Sequence, residues 1–529
     1  MTISKEISIV VSKLSNAGGI SDLKEFPLVA LGIHLAQKSF RVNFILCNPG
    51  LNFSKNIQEY LNQNGIKVHK VSAISSCSVS WLTPQLNLFD LLMSLKSDLV
   101  IGESEGGMLA LYAGFGLKSA PVLTYLENGI YLDKLKTNST FSHEGELLRA
   151  TLEDIQLRKS GAIISNSEIS SLIVTSLNNE LALEVAPISA GIKDNLTDPG
   201  EILSEDIGSI WITTVLRLVN EIEEEQIDSS GASVSVIIST KNRQEFLPNA
   251  LASCFFQNVP AFEIIVIDDG SDFPELTEKV VKEYSNLLNI SLIRNESSLG
   301  QSKSRNMGAN KAKGKFLAFL DDDNFLLPNH LELCLAQLSN PSVMAACSFM
   351  NSVDSVRPIN QNSKVDYVMI FAGDHFGSLN HLYNLACDTH IVIRREFFLE
   401  LGGFPELIQS SAEDWALGLR IINSGGKFQS TGTPTIMYRR NRDGLFATVS
   451  GLSKAWPLHT SSQLISIREW WFTEFARFAL IHPNSFESKI GYAKVLIRDR
   501  AYFSLVRGLL RNVRNVLVSM LKFGLFNRK

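Results

Sequence analysis

The sequence is poor in cysteine, with six in 529 residues, and these are scattered without a CxxC pair or the ligand spacing of a zinc site. Such dispersal argues against a disulfide framework and favours buried thiols in a reducing compartment. The cysteines are Cys47, Cys77, Cys254, Cys334, Cys347 and Cys387.

Long apolar runs are also missing. No stretch reaches the roughly 18 apolar residues that a helix needs to span a bilayer. The first apolar run is interrupted by Lys13 and lacks the length and cleavage pattern of a signal peptide. We therefore expect a cytoplasmic protein.

Neither sign of charge dominates. The net charge is −5, and the composition, with 45% hydrophobic and 19% charged residues, is that of an ordinary globular protein. A mildly acidic chain neutralises nucleic-acid phosphates poorly, so no nucleic-acid partner is expected.

A length of 529 residues is too great for one hydrophobic core and predicts two or three domains.

Short apolar runs alternate with amphipathic stretches, a pattern that predicts the α/β class with parallel sheets covered by helices. The expected strands are EISIVVS, VNFILC, SDLVIG, APVLTY, GAIISNS, VSVIIS, EIIVID, ISLIRN, KFLAFLD and MAACSF. We predict a Rossmann-like domain at residues 1–200, a helix and acidic linker at 201–232, a second α/β domain at 233–450 and a helical segment at 451–529.

The second α/β domain carries five polar elements in order, and several follow directly on an apolar strand. Ligands bind at the carboxyl ends of strands in an open α/β sheet, so we expect these elements to converge. Any one of these elements alone could be a turn or a solvated loop, but the occurrence of all five in one domain favours a ligand site. The elements are Val234–Arg243, Ile264–Ser271, Gly300–Gly308, Gly314–Asn324, and Gly402–Glu406 followed by Glu413–Trp415 and Arg420.

The acidic triplet at 321–323 suggests a metal site. Asp321 and Asp323 offer hard oxygen ligands of the kind that Mg²⁺ or Mn²⁺ prefers, with substrate phosphates as further ligands. Such a metal would neutralise the charge on a departing diphosphate. We therefore predict Mg²⁺ or Mn²⁺ as the cofactor.

Together these motifs make residues 233–443 resemble the family 2 glycosyltransferases, which have the GT-A fold and invert the anomeric carbon. The resemblance implies a nucleoside-diphosphate sugar donor, with UDP favoured, and a saccharide or lipid-linked acceptor. Lys241 departs from the family, in which an aromatic residue is common at this point. A Gln-x-x-Arg-Trp motif, which marks the processive synthases, is absent from the sequence, and this favours single additions.

The resemblance also implies a role for each matched side chain. Asp414 would be the general base that takes the proton of the acceptor hydroxyl, and Glu413 is the alternative. Attack from the face opposite the diphosphate would then give single displacement, as in an inverting hexosyltransferase. The donor-side residues would be Ser239, Asp268 and Asp269 at the base, Arg305 near the nucleotide, Asp322 at the ribose, and Asp323 with Asp321 at the metal. The acceptor-side residues would be Asp388, His390, Gly402, Gly403 and Trp415.

The first domain carries looser motifs, which resemble the acceptor-side Rossmann half of the family 4, GT-B-type glycosyltransferases. The second, donor-binding half of that family is missing, so the resemblance implies an acceptor-binding or scaffolding module. Gly18 and Gly19 could approach a ligand or simply precede a helix. The motifs are Asn16–Ile20, Asp98–Ile101, Glu103–Gly107, Ala120–Tyr125, Ile163–Ser167 and Ala190–Ile192.

The C-terminal segment shows an amphipathic helical pattern, with Arg507, Arg511, Arg514 and Lys522 on one face. Two explanations stay open. The helix could pack on the catalytic domain with a solvated basic rim, or it could lie on anionic lipid. The second would place the protein peripherally at the inner face of a membrane, which suits a lipid-linked acceptor.

Two other functions stay open. A sugar-nucleotide nucleotidyltransferase uses a similar domain, but it needs a Gly-rich phosphate loop after the first strand, and Ser239–Arg243 contains no glycine. A non-catalytic glycan-binding or scaffold protein would have no need of the full carboxylate set. The leading hypothesis is therefore a glycosyltransferase of cell-surface polysaccharide or glycan biosynthesis.

Overall fold

The structure is a computed structural model. In it the chain forms two compact units, Met1–Gln226 and Ile227–Lys529. In the first unit the structure describes residues 5–12, 27–47, 52–72, 80–115, 119–126, 129, 133, 144–165, 183–185 and 203–220. In the second unit it describes residues 233–381, 384–406 and 413–440.

The first unit is built on a seven-stranded parallel sheet. Its strands are β1 Glu6–Val11, β2 Arg41–Leu46, β3 Lys67–Lys70, β4 Leu99–Glu103, β5 Val122–Leu126, β6 Ala162–Ser165 and β7 Leu183–Val185. They lie in the order β3-β2-β1-β4-β5-β6-β7, with every neighbouring pair parallel. This is the strand order of a doubly wound Rossmann-like sheet, so the predicted fold class is confirmed.

Helices supply the rest of the first unit. They are α1 Pro27–Gln37, α2 Lys55–Gln63, α3 Thr83–Leu95, α4 Glu144–Lys159 and α5 Glu205–Asn220. Ile7, Ile9 and Val11 share one buried cluster with α1 and with Trp211 of α5. Because strand side chains alternate, Val10 lies on the other face, where Gly102 leaves room for Leu109.

The second unit contains a nine-stranded mixed sheet. Its strands are β8 Val234–Thr240, β9 Glu263–Asp268, β10 Ile290–Arg294, β11 Phe316–Asp321, β12 Phe325–Leu326, β13 Val343–Asp354, β14 Tyr367–Met369, β15 Val392–Arg394 and β16 Lys427–Arg440. The order is β10-β9-β8-β11-β15-β13-β16-β12, and β14 pairs with β13. The first four strands are mutually parallel, whereas β15 runs antiparallel to both neighbours. The α/β class predicted for this region is confirmed.

Six helices are described in the second unit. They are α6 Leu247–Phe255, α7 Pro274–Tyr284, α8 Gln301–Lys311, α9 His330–Leu338, α10 Arg395–Glu400 and α11 Glu413–Asn423. Phe319 of β11 contacts the rings of Phe398 and Phe404 at centroid distances of 5.1 and 4.9 Å. This aromatic cluster holds the turn after α10 against the sheet.

Parallel pairing of β9, β8 and β11 brings their carboxyl ends to one edge. Thr240 is in register with Asp268, and Ser239 is in register with Asp321. The polar residues that end these three strands therefore lie side by side, as the strand order requires.

Helix α8 packs closely on β8 and β9 because it carries a glycine where it crosses them. A Cβ atom on Gly308 would lie 2.7 Å from Cγ2 of Ile237 and 2.8 Å from Cδ1 of Ile267. The close approach places Ser304 and Arg305, one turn earlier, next to the strand ends.

Some predicted features lie outside the described residues, namely Gly18 and Gly19, Cys77 and the helical segment at 451–529. The five described cysteines are free thiols, four of them buried. Within the described parts of both units, no helix is long and apolar enough to cross a membrane. The predicted domain boundaries stay predictions, although α5 packs into the core of the first unit.

We expect Gly308→Val to lower the free energy of unfolding by about 1–3 kcal/mol, the usual cost of forcing extra methyl groups into a packed core. Chemical denaturation of the full chain measures the change. Lys303→Ala, on the exposed face of the same helix, is the control and should stay within about 0.5 kcal/mol of the parent. Equal stabilities for the two variants would contradict the close packing of α8 on the sheet.

Candidate active site

The ends of β8 and β9 present buried polar atoms that lack a hydrogen-bond partner within the described residues. Neither the hydroxyl of Ser239 nor Oδ2 of Asp268 has a hydrogen bond within the described residues. The other oxygen of Asp268 accepts the backbone N–H of Ser271 at 2.8 Å, which fixes the carboxylate in place. Because buried polar groups are normally paired, both atoms are available to a ligand.

Asp269, in contrast, is fully engaged by the protein. Burial alone would raise the pKa of Asp269, but its hydrogen bonds outweigh that effect and lower the pKa. Its five donors, at 2.8–3.0 Å, are the side chains of Asn295, Ser298 and Ser304 and the backbone N–H groups of Leu299 and Gly300. Asp269 thus organises the loop before α8, and Asp268 is the acid with an available oxygen.

Each carboxylate of the acidic triplet contacts an arginine. Oδ1 of Asp321 accepts from Arg305 at 2.6 Å, Oδ1 of Asp322 accepts from Arg243 at 3.2 Å, and Oδ2 of Asp323 accepts from Arg243 at 2.9 Å and Arg439 at 2.5 Å. The triplet is therefore held by charge-assisted hydrogen bonds from three distant parts of the chain.

Counted together with Glu413, which shares Arg305 with Asp321, four carboxylates face only three arginines. Burial and then the neighbouring Asp323 carboxylate raise the pKa of Asp322 to about 7, although Arg243 opposes the shift. Oδ1 of Asp323 accepts no hydrogen bond from the described residues. Hard oxygen donors with surplus negative charge fit a divalent cation.

A complete metal site is not formed by protein groups alone. Within the described residues, no group of three or more His, Cys, Asp or Glu side chains is arranged to hold a metal ion. Asp323, supported by Asp321, could provide one or two ligands, and substrate phosphates and water would have to supply the others.

Arg305 joins the triplet to the helix that carries the predicted base. Its side chain is 2% exposed, and Nη1 donates to Oε1 of Glu413 at 2.9 Å while Nη2 binds Asp321. The preceding residue, Ser304, donates to Asp269 at 2.8 Å. The structure therefore brings Asp269, Asp321 and Glu413 together around the first turns of α8, with Arg305 buried between the acids.

Asp388 and His390 form a buried hydrogen-bonded pair on the acceptor side. Burial lowers the pKa of His390, but the Asp388 carboxylate outweighs it and raises the pKa overall. Nε2 of the ring faces the Asn324 side-chain amide at 3.1 Å and the backbone N–H of Asp321 at 3.3 Å. Since both of these groups donate, we assign the neutral ring with its proton on Nδ1, directed at Asp388.

Asp414 lies in the first turn of α11, where its Oδ1 accepts the backbone N–H of Trp415 at 2.6 Å. Burial, followed by the carboxylates of Glu413 and Asp388, raises the pKa of Asp414 well above its usual value. Glu413 is instead committed to its ion pair with Arg305. Of the two acids, Asp414 is therefore the candidate proton acceptor, because a raised pKa makes its carboxylate more basic than usual.

The glycine turn after α10 packs against α8. Gly402 and Gly403 have φ values of 78° and 69°, and a Cβ atom on Gly403 would lie 2.4 Å from Oδ1 of Asn306. Arg420 donates to the Gly403 carbonyl at 3.1 Å. Nε1 of Trp415 donates to the carbonyl of Asn380 at 2.7 Å. The turn and Trp415 are thus anchored by the backbone around the site.

Three side chains at the site have no role in the sequence-based expectations. Arg243 ends the first motif and could have been identified there as a cation near the acids. Arg439 and Tyr438 lie on β16, which the sequence does not mark as a strand. Burial and then the carboxylates of Asp388 and Asp321 raise the pKa of Tyr438 well above its usual value, which is consistent with a hydroxyl near the acids.

Comparison with known proteins gives a consistent result. A family model described as "Glycosyl transferase family 2" matches residues 235–402, which include β8 to β15. An uncharacterized glycosyltransferase of Haemophilus influenzae is 30% identical over 197 residues, 36% of this chain and 62% of that protein. TarS of Staphylococcus aureus, a poly(ribitol-phosphate) beta-N-acetylglucosaminyltransferase, is 35% identical over 95 residues, 17% of this chain and 16% of that protein.

A solved structure, that of S. aureus TarS 1–349 in complex with UDP-GlcNAc, is also similar. The similar region is 50% of this chain and 80% of the TarS chain, with 17% identity and a TM-score of 0.38. The chain spans less than two thirds of the length of the H. influenzae relatives, at 62% and 58%. An uncharacterized glycosyltransferase of Methanocaldococcus jannaschii is matched more fully, with 35% identity over 220 residues, 41% of this chain and 74% of that protein. Because the family model matches residues 235–402 and the M. jannaschii glycosyltransferase is matched over 74% of its length, the chain belongs to glycosyltransferase family 2.

Proposed function

We propose that this protein is an inverting glycosyltransferase that moves a sugar from a nucleoside-diphosphate sugar to a hydroxyl acceptor, with Mg²⁺ or Mn²⁺ as its cofactor. The observation that carries the proposal is the convergence at one sheet edge of Asp268, the triplet at 321–323 and the first turn of α11. Family membership supports transfer over nucleotide synthesis or simple glycan binding.

The donor would bind along the carboxyl ends of β8, β9 and β11. Ser239 and Asp268 have polar atoms available for the nucleotide base, and Asp322 lies next along the edge for the ribose. Asp269 would act indirectly, because its oxygens hold the loop before α8. Asp323, with Asp321 in support, would hold the cation, which when bound would neutralise charge on the leaving diphosphate.

Asp414 would accept the proton of the acceptor hydroxyl. A raised pKa makes a carboxylate a stronger base, and the carboxylate is ionised only above that pKa. The acceptor would approach from the side of Asp388 and Asp414, away from the triplet that binds the diphosphate. Attack at the far face of the anomeric carbon would invert its configuration in one displacement.

Arg305 would act as a positioning residue between these two sides. It is too deeply buried to reach a nucleotide directly, but it fixes Asp321 on the donor side and Glu413, next to Asp414, on the acceptor side. The Arg305 guanidinium would thereby fix the distance between the leaving group on the donor side and the base on the acceptor side. A displacement reaction depends on that distance.

The biological role follows less directly from the site. The name of the TarS relative suggests an N-acetylglucosaminyl group, for which the donor would be a UDP sugar, and a surface polymer as acceptor. An acceptor-binding or scaffolding role for the first unit, a cytoplasmic location and contact of the segment at 451–529 with anionic lipid stay predictions from the sequence.

Donor binding can be tested with a panel of nucleotide sugars, each added with Mn²⁺. A true donor should raise the melting temperature, because a ligand bound only by the native state stabilises it by about 2.7 kcal/mol at one hundred times its Kd. Asp323→Asn should abolish the Mn²⁺-dependent part of this shift and sugar transfer, whereas Asp354→Asn, an exposed acid on β13, should retain both. Equal shifts in the two variants would remove Asp323 from the site.

The assignment of Asp414 as base predicts the pH dependence of transfer. Because the base must be ionised and its pKa is raised, the rate should fall as the pH drops through that pKa. Asp414→Asn should lower kcat about 10²- to 10⁴-fold and abolish this acid limb. Asp388→Asn removes a neighbouring negative charge and should move the limb to lower pH. An unchanged acid limb in Asp414→Asn would assign the base elsewhere.

The bridging position of Arg305 predicts a large effect on stability. Arg305→Met leaves Asp321 and Glu413 buried without their partner, so it should lower the free energy of unfolding by about 3–5 kcal/mol. Arg440→Ala breaks two exposed ion pairs, with Asp354 and Asp366, and should cost less than about 1 kcal/mol. Adding Glu413→Gln to Arg305→Met should recover part of the loss. Chemical denaturation measures all three, and similar values for Arg305→Met and Arg440→Ala would contradict the bridge.

A further inference from the structure

Two arginines share one oxygen of the predicted metal ligand. Oδ2 of Asp323 accepts from Nη1 of Arg243 at 2.9 Å and from Nη2 of Arg439 at 2.5 Å. Nη1 of Arg243 also reaches Oδ1 of Asp322 at 3.2 Å. Two positive groups therefore bind the same carboxylate that would hold a divalent cation.

The two arginines are held very differently. The Arg439 side chain is 1% exposed, its guanidinium lies 4.1 Å from the ring centroid of Phe246, and Nη1 donates to the Ser355 carbonyl at 3.1 Å. Its backbone N–H donates to Asn324 at 2.8 Å. Removing Arg439 from Asp323 would break this whole arrangement, so we regard it as a fixed part of the site.

Arg243 is held by the acids alone. Its side chain is 36% exposed, and within the described residues its guanidinium forms hydrogen bonds to Asp322 and Asp323 only. The preceding residue, Asn242, has a left-handed φ of 55°, and its backbone N–H donates to Oγ of Ser271 at 2.9 Å. The Asn242 side chain accepts the backbone N–H of Asp272 at 2.8 Å and donates to the Asp272 carboxylate at 2.9 Å. The backbone is thus anchored at Asn242 while the long Arg243 side chain can change partner by rotation.

A cation on Asp323 would repel Arg243 and compete for the same carboxylates. A donor diphosphate would attract it, because phosphate and carboxylate oxygens are alternative acceptors for the guanidinium fork. The ordinary explanation, a permanent surface ion pair, does not explain why a second arginine is added to an oxygen that Arg439 already binds.

We propose that Arg243 is a donor-binding residue that exchanges partners. In the free protein it occupies the Asp322 and Asp323 carboxylates, and when the nucleotide sugar and its cation bind it transfers to the diphosphate. This inference rests on the proposed function of the same site. The exchange makes the cation bind weakly when no donor is present, because Arg243 then occupies the carboxylates. It also couples the binding of cation and donor, because each ligand favours the state in which Arg243 has left Asp322 and Asp323.

The test is titration calorimetry with two probes, Mn²⁺ alone and UDP in saturating Mn²⁺, or the nucleotide that the donor panel identifies. In Arg243→Ala the competing cation is gone, so Mn²⁺ alone should bind about tenfold more tightly, while the nucleotide should bind about tenfold more weakly, as expected for one charge-assisted hydrogen bond. Arg243→Lys keeps the charge, so its affinities for Mn²⁺ and for the nucleotide should change in the same directions as in Arg243→Ala but by less.

Arg440→Ala, which removes an exposed arginine on the same strand as Arg439, is the matched control and should leave both affinities unchanged. Opposite shifts for the two probes support the exchange. Weakening of both probes would mean that Arg243 is only a structural support, and weakening of neither would mean that it touches no ligand; either result overturns the inference. If the parent protein binds Mn²⁺ but no nucleotide, the proposed function is wrong. The titrations with Mn²⁺ alone then still show whether Arg243 competes with the cation for Asp322 and Asp323.

Discussion

The buried guanidinium of Arg305 between Asp321 and Glu413 is the interaction on which the site depends most. Taking one cation and two carboxylates out of water is costly, and their attraction repays that cost only when the geometry is close and the hydrogen bonds are made. Here the geometry is set by α8, which approaches the sheet at Gly308 and presents Arg305 toward the strand ends. The donor-side and acceptor-side acids are therefore positioned by the same helix.

Around that bridge, the acids divide into those that the protein has satisfied and those that it has left available. Asp269 accepts five hydrogen bonds and shapes a loop, whereas Asp268 keeps a buried oxygen without a partner in the described residues. Glu413 pairs with Arg305 through Oε1, whereas burial and like charge raise the pKa of Asp414. In each pair of neighbouring acids one member supports the structure and the other is free for a ligand or a proton.

Much of the fold follows from simple patterns. Apolar runs such as Val234–Ser239 and Glu263–Asp268 are long and bounded by turn residues, and they form the strands that the patterns predict. The strands that the patterns miss are short, as in β12, or interrupted by glycine, proline and threonine, as in β16. Strand β16 exists because β13 and β12 pair with it, which is a long-range condition that no local pattern reveals.

The sequence by itself determined the chemical class of the site, because strand ends in a parallel sheet must share an edge and the acids at 268, 269 and 321–323 occupy those ends. It could not decide what each acid does. Ionisation depends on burial and on distances between charges, and these arise between residues remote in the chain, such as Asp323 and Arg439, 116 positions apart. Only the tertiary structure could show that Asp268 is available while Asp269 is occupied, and that burial raises the pKa of Asp414 while Glu413 pairs with Arg305. It also placed Arg243 and Arg439 on the acid that the sequence assigns to a metal.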